Sequence, residues 1–177
     1  LSCISQNTSS VIGNELFTKL VQSLASVFGV RYAFIGKIED ASATTFKTVA
    51  YWDRSKIAEN FTCSLKGTPC EKVIEQETCF YPQEVQKYFP DINYLAEHGI
   101  ESYLGVPLIN SEKQVFGLLS LLDDKPITHF DHYHSILNIF AARCASEMER
   151  MDAEAQLQIK ARELEKSNQA LKDFVSI

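Results

Sequence analysis

Two groups of side chains in this sequence are of types that perform chemistry. The first is a set of cysteines, Cys63, Cys70 and Cys79, close to one another in the chain. Cys70 follows Thr68-Pro69 and precedes Glu71, an order that supplies a threonine N-cap, a proline in the first turn and a glutamate at the third position. A short helix is predicted to begin at Pro69, with Cys70 in its first turn, where the positive end of the helix dipole favours a thiolate. Glu71 opposes this with a negative charge next door. Two readings follow for these thiols: an oxidant sensor, which needs an accessible low-pKa thiol and a resolving partner, or buried, inert cysteines. The second group is His129-x-x-His132-x-His134. His129 and His132 share a helical face, His134 points elsewhere, and neither carboxylate nor cysteine completes a zinc pattern. They are read as solvent-exposed histidines, and no metal site is assigned.

The elements that must position these groups can be followed along the chain. From Asn14 to Phe28, Leu16, Phe17, Leu20, Leu24 and Val27 recur at three- and four-residue steps, the stripe of an amphipathic helix, with Gly29 as its stop. Arg31 to Glu39 and Thr45 to Trp52 read as strands around a turn at Ala41 and Ser42. Cys79 to Tyr81 is a short extended piece. Pro82 to Tyr88 and Asp91 to His98 read as brief helices, the second capped by Asp91 and ended by Gly99. Glu101 to Ile109 and Lys113 to Leu122 are strands about a polar turn at Asn110 to Glu112, and the apolar run Val115 to Leu122 is expected in the middle of a sheet, covered on both faces.

Thr128 is the expected cap of the last helix. Between it and Ile177 there is neither Gly nor Pro, so one helix of about 45 residues, roughly 70 Å long, is predicted, longer than the globular domain it leaves. Leu157, Ala161, Leu164, Asn168, Leu171 and Val175 alternate steps of four and three, the seam of a parallel two-stranded coiled coil with one polar, register-fixing position. Upstream, Leu137, Ala141, Cys144, Met148, Met151 and Ala155 follow the same steps one residue out of phase. Either the seam shifts near Gln156 to Gln158, giving a joint with two arrangements, or the residues before about 152 pack on their own sheet.

Composition narrows the function classes. The net charge is −6 with basic residues scattered among acids, which disfavours nucleic acid as a partner. The longest apolar runs fall far short of the roughly 20 residues of a bilayer-spanning helix. The five cysteines, an odd number irregularly spaced and including Cys3 and Cys144, favour a reducing, cytoplasmic setting.

The stretches Gly29-Val30-Arg31-Tyr32-Ala33-Phe34-Ile35-Gly36, Gly67-Thr68-Pro69-Cys70, Phe89-Pro90, Gly99-Ile100-Glu101-Ser102-Tyr103-Leu104-Gly105-Val106-Pro107-Leu108 and Gly117-Leu118-Leu119 resemble, in order and spacing, the GAF domains of bacterial signalling proteins. Glu163 to Ser176 is similar to the opening of a histidine-kinase dimerisation and phosphotransfer domain, whose phosphorylated histidine would lie beyond Ile177. The resemblance implies an α+β fold: a central antiparallel sheet with the N- and C-terminal helices on one face, and short helices and loops over a pocket on the other. It implies a linker at 1–13, a GAF sensory domain at 14–151 and a coiled-coil signalling helix at 152–177, belonging to a two-component sensor histidine kinase whose catalytic parts this chain lacks. The chain itself is therefore not expected to be an enzyme. By pattern, the residues available to line the implied pocket are Tyr51, Phe61, Cys70, Phe80, Phe89, Tyr94 and Tyr103, an aromatic set suited to a planar ligand; the competing reading makes them plain core. No cofactor is identified. The Asp-Ile-Pro and Cys-His features of bilin-binding members are absent, and the Asn-Lys-Phe-Asp-Glu signature of cyclic-nucleotide-binding members is not assembled.

Two functions of different class follow. A small ligand under the short helices biases a parallel homodimer through the last helix and so signals to the kinase core, or the domain is a ligand-free dimerising spacer. A cysteine-based redox sensor or a methionine sulfoxide reductase-like enzyme is a further alternative, because GAF-type reductases place several cysteines around such a pocket.

Overall fold

The computed structural model describes the backbone of residues 2–177 and side chains from Gly13 onward. Helix α1 (Ser2–Phe28) leads into strands β1 (Tyr32–Ile38), β2 (Thr45–Asp53), β3 (Lys56–Ile57) and β4 (Thr62–Ser64). Helix α2 (Pro69–Ile74), strand β5 (Cys79–Tyr81), helices α3 (Val85–Tyr88) and α4 (Asn93–Glu97), strands β6 (Ser102–Ile109) and β7 (Val115–Asp123), and helix α5 (Phe130–Val175) complete the chain. The sheet is antiparallel in the order β3-β2-β1-β7-β6-β5, with β4 also paired to β2. The apolar run of β7 therefore lies between β1 and β6, as its uniform hydrophobicity requires.

Strand alternation divides the interior into two cores. Ala33 and Ile35 of β1, Leu104, Val106 and Leu108 of β6, and Leu119 and Leu121 of β7 pack with α1 and the first half of α5. Tyr32, Phe34, Tyr103, Leu118 and Leu122 point the other way, beneath α2, α3, α4 and the β3–β4 segment. In β2 this alternation is broken and then restored. Ile35 pairs with Ala50 while Gly36 pairs with Thr48, so Val49 is an extra residue in the ladder. Phe46 and Tyr51, an odd number of residues apart, would otherwise lie on opposite faces; the bulge puts both under the short helices.

Several local expectations need correction. α1 begins upstream of Asn14, within the span assigned to a linker, because Ser2 to Ile12 carries no helix breaker. Val27 faces solvent, and Val21, Ala25 and Phe28 complete the buried stripe instead. Thr68 holds the N-cap position of α2, which begins at Pro69 as expected, but its side chain makes no capping bond: its hydroxyl donates to the Leu65 carbonyl at 2.7 Å, while Glu71 accepts from the Gly67 N–H at 2.9 Å. α3 and α4 are shorter than predicted; Ile92 rather than Asp91 precedes α4, and His129 rather than Thr128 precedes α5.

Helix α5 is continuous over 46 residues. Leu137, Ala141, Cys144 and Met148 are buried against the sheet and α1, and Met151 is half-buried on the same core. This upstream set therefore packs on its own domain. Near its departure α5 is tied down twice: Asp152 pairs with Lys37 of β1, and Glu149 accepts from the amide and hydroxyl of Ser111 in the β6–β7 turn. From Gln156 the helix is almost wholly exposed, including Leu157, Leu164, Leu171 and Val175. Among the described residues no helix is long and apolar enough to cross a membrane.

Candidate functional site

A cavity of about 420 Å³ lies between the sheet and the short elements above it. Phe34 of β1, Phe46 of β2, Tyr103 of β6 and Leu122 of β7 form its floor; Phe61, Thr62, Cys63, Thr68, Pro69, Cys70, Ile92, Tyr94 and Leu95 form its walls and roof. Two aromatic rings can lie flat on the sheet because the strands carry glycine beneath them. A Cβ on Gly105 would sit 2.5 Å from the Tyr103 hydroxyl oxygen, and one on Gly36 would sit 2.7 Å from the Phe46 ring. Phe34 stacks on Phe46 at 5.6 Å between centroids, and Phe61 meets both edge-on.

The polar atoms around this apolar chamber are mostly paired with one another. Tyr103 links Cys70 Sγ at 3.3 Å and Ser120 Oγ at 2.9 Å, all three buried. The Tyr51 and Tyr94 hydroxyls meet at 2.6 Å. The Tyr94 ring stacks on His98 at 4.1 Å, and His98 Nδ1 lies 3.0 Å from the Tyr94 carbonyl. Burial is the first cause pushing all three phenols above the ordinary tyrosine range, so each is neutral and acts as a hydrogen-bonding group.

Of the aromatic and sulfur side chains picked out by pattern, the structure brings Phe61, Cys70, Tyr94 and Tyr103 to the cavity wall. Tyr51 stands just behind it, bonded to Tyr94 and edge-on to Phe61 at 5.3 Å. Phe89 belongs to the same core but packs on Tyr81 away from the chamber. Phe80 has to be removed from the set. Its neighbours Cys79 and Tyr81 face the short helices, so alternation in β5 turns Phe80 to the opposite side, where it stacks on Phe130 of α5 at 4.6 Å. Phe34, Phe46 and Leu122 were missed; the alternation of Tyr32 and Phe34 with Ala33 and Ile35 was the available signal.

The cysteines are not arranged for thiolate chemistry. Burial pushes the Cys70 thiol up to about 12 despite its bond to Tyr103, so desolvation outweighs the helix start. Burial also raises Cys63 and Cys79, and raises Cys144 to about 12. The side chain of Cys3 lies outside the described residues. His129 and His132 are exposed, while His134 is half-buried, bonded to Thr78 Oγ1 at 2.9 Å and stacked on Phe130. No cluster of three metal-ligating side chains occurs among the described residues. A larger groove of about 580 Å³ near Asn14, Lys37, Lys47 and Asn60 is polar and open to solvent, a feature of the surface.

Comparison with known proteins agrees with this architecture. The model of the GAF domain family matches residues 13–148. A hybrid signal transduction histidine kinase F from Dictyostelium discoideum is 26% identical over 151 residues, covering 85% of this chain but 13% of that protein. The chain thus spans a small part of the length of its curated relative. Among solved structures, a domain of a Sinorhizobium meliloti 1021 protein described as a two-component sensor histidine kinase superimposes with a TM-score of 0.61 at 17% identity, covering 81% of this chain and 96% of that one. The blue-light-absorbing form of the Thermosynechococcus elongatus PixJ GAF domain gives 0.63 at 15%, covering 88% and 96%.

Proposed function

The chain belongs to the GAF domain family, and on that premise we propose that it is the sensory module of a cytoplasmic histidine kinase, binding a small molecule in the cavity and relaying its state through α5. The observation that supports this best is the apolar chamber itself, placed on the sheet face opposite the terminal helices. Its floor is one atom layer from the other core: Phe34, Tyr103 and Leu122 face the cavity while their neighbours Ile35, Leu104 and Leu121 pack against α1 and α5. A ligand that prefers one packing of the floor biases the terminal helices by that preference and no more. The output element is the exposed seam of Leu157, Ala161, Leu164, Asn168, Leu171 and Val175, which joins a second copy in a parallel coil and leads to the kinase core of the parent chain. Phosphoryl transfer belongs to that parent and not to this domain.

Native mass spectrometry of the chain purified without added ligand tests both parts. A dimer with a retained small molecule, reduced to a monomer by removal of residues 152–177, is the expected result. A bare dimer that also refuses every added ligand makes the domain a spacer, and a monomer at micromolar concentration removes the relay.

A further inference from the structure

We infer that the ligand of this cavity is a neutral, planar aromatic molecule carrying a hydrogen-bond acceptor, which it presents to the Tyr94 hydroxyl. This inference rests on the cavity being the ligand site, as proposed above.

The class follows from what the wall contains and lacks. Phe34, Phe46, Phe61, Tyr94 and Tyr103 offer ring faces and edges, and the rest of the wall is aliphatic or sulfur with two threonines; among the described residues no Lys, Arg, His, Asp or Glu lines it. The cations nearby are engaged elsewhere. Arg54 donates to the Tyr32 hydroxyl at 2.9 Å and lies over that ring, and Lys72 lies over the Tyr81 ring. A phosphate or carboxylate entering the chamber would leave water without a counter-charge, a cost that apolar contact does not offset. A neutral ring system instead gains stacking on walls already in place.

Acceptor preference follows from counting protons. Tyr51 and Tyr94 have two hydroxyl hydrogens and one mutual bond, and neither hydroxyl has another partner among the described residues. One hydrogen is left to donate: with Tyr51 donating in the mutual bond, an orientation the 2.6 Å contact permits, it is the Tyr94 hydrogen that is free, and of the two side chains Tyr94 is the one on the cavity wall. The Tyr103 hydroxyl is taken up between Cys70 and Ser120. Tyr94 therefore holds the polar contact that sets the ligand's orientation, at the edge of an otherwise greasy site.

Three probes built on one fused two-ring frame separate the possibilities: quinoline, neutral with a ring-nitrogen acceptor; naphthalene, neutral with none; and 1-naphthoate, which adds an anionic carboxylate. Their affinities are measured by equilibrium dialysis at pH 8 against the full chain and against Tyr94→Phe and Tyr51→Phe. Thermal midpoints taken on the same samples establish that each variant is folded. Both neutral probes are expected to bind, and 1-naphthoate at least about a hundredfold more weakly. Tyr94→Phe should weaken quinoline about tenfold and move naphthalene less than twofold, the signature of one lost hydrogen bond. Tyr51→Phe leaves the Tyr94 hydrogen free and should keep quinoline within about threefold. If 1-naphthoate binds as well as quinoline, the neutral class is wrong while the cavity remains a ligand site. If Tyr94→Phe weakens both neutral probes alike or neither, the acceptor assignment is wrong. Failure of all three probes to bind the folded chain overturns the ligand-binding reading together with this one.

Discussion

Leu164→Ala is expected to weaken the proposed self-association of the chain by about three to four orders of magnitude without unfolding the globular domain. Leu164 is 63% exposed in the single chain, with Leu157 at 68% and Leu171 at 60%, a spacing of seven along α5. In a heptad frame these leucines take the d positions, and Ala161, Asn168 and Val175 take the a positions, the arrangement of a parallel dimer with one polar layer. Truncation to Ala deletes roughly three methylene equivalents at about 0.8 kcal/mol each, and both chains lose them, for a total near 5 kcal/mol. At 1.4 kcal/mol per decade this is about 3.5 decades in the dissociation constant. Sedimentation equilibrium over a range of loading concentrations reads that change directly. Ile159→Ala is the control. Ile159 is also exposed, at 48%, but lies between seam positions Leu157 and Ala161 on the outer face, so its truncation should shift the constant less than threefold, a few tenths of a kcal/mol. Equal effects from the two variants, or less than a tenfold effect from Leu164→Ala, would mean that the exposed leucines are not a seam.

Three further outcomes test the rest of the structure. Gly105→Ala, whose Cβ would strike the Tyr103 ring at 2.9 Å and its oxygen at 2.5 Å, should cost about 1–3 kcal/mol, read in urea unfolding and as a fall of about 2–4 °C in Tm per kcal/mol; a loss below 0.5 kcal/mol, the size of an ordinary surface substitution, refutes that packing. Cys70 and Cys144, both raised from the ordinary 9.0 to about 12 by burial, bind their protons more tightly folded than unfolded. Their contribution is therefore complete below pH 9 and is lost as pH climbs toward 12, at up to about 1.4 kcal/mol per pH unit per thiol; the Cys70→Ala, Cys144→Ala double variant should flatten the alkaline slope of unfolding free energy, and an unchanged slope excludes these thiols as its source. Glu149→Ala with Asp152→Ala removes both ties at the departure of α5. Global stability should fall by no more than about 1 kcal/mol per exposed tie, while amide exchange quickens locally around 148–156; exchange unchanged there would show that apolar packing alone holds the exit.

Elements with long periodic patterns were legible from the sequence: the stripe of α1, the apolar run of β7, the Gly- and Pro-free span of α5. What escaped were features decided by a few local contacts. Thr68 sits at the N-cap of α2, yet its hydroxyl accepts no helix N–H and instead donates to the Leu65 carbonyl, and Glu71 accepts from the Gly67 N–H one residue before the cap. The site was half legible. Aromatic residues in strands are obvious, but which face each takes depends on register, and the extra residue at Val49 that carries Phe46 and Tyr51 to one side leaves no trace in the composition of β2. Phe80 failed for the simpler reason that a three-residue strand has no pattern to read. For the thiols the sequence offered both readings, a one-turn dipole effect and inert burial, and the desolvation at Cys70 that favours the second exists only once Tyr103, Leu95 and Pro69 have closed over the chamber.

The change of phase in α5 acquires a physical reason once burial is known. Leu137, Ala141, Cys144 and Met148 are spent on the domain's own core, so the strip they form cannot also face a second chain. A seam continued in phase from Ala155 would fall on that same strip and bring the partner helix up under the sheet, against α1. Starting the second seam at Leu157, one residue early, turns it by about 100° around the helix, since each residue advances by that angle. One unbroken helix can then serve two packing partners in succession, its own sheet first and the proposed partner helix next, without a kink. The short stretch around Gln156 carries neither contact and little burial, so it is the place where twist imposed from the domain can be absorbed or passed on. In the proposed relay, a rigid-body turn of α5 at the sheet would reach the coil as rotation while Asp152 and Glu149 keep their partners on β1 and the β6–β7 turn. On the proposed relay, those two ties govern whether a change beneath α2 and α4 arrives at the partner helix as a rotation or dissipates at the exit.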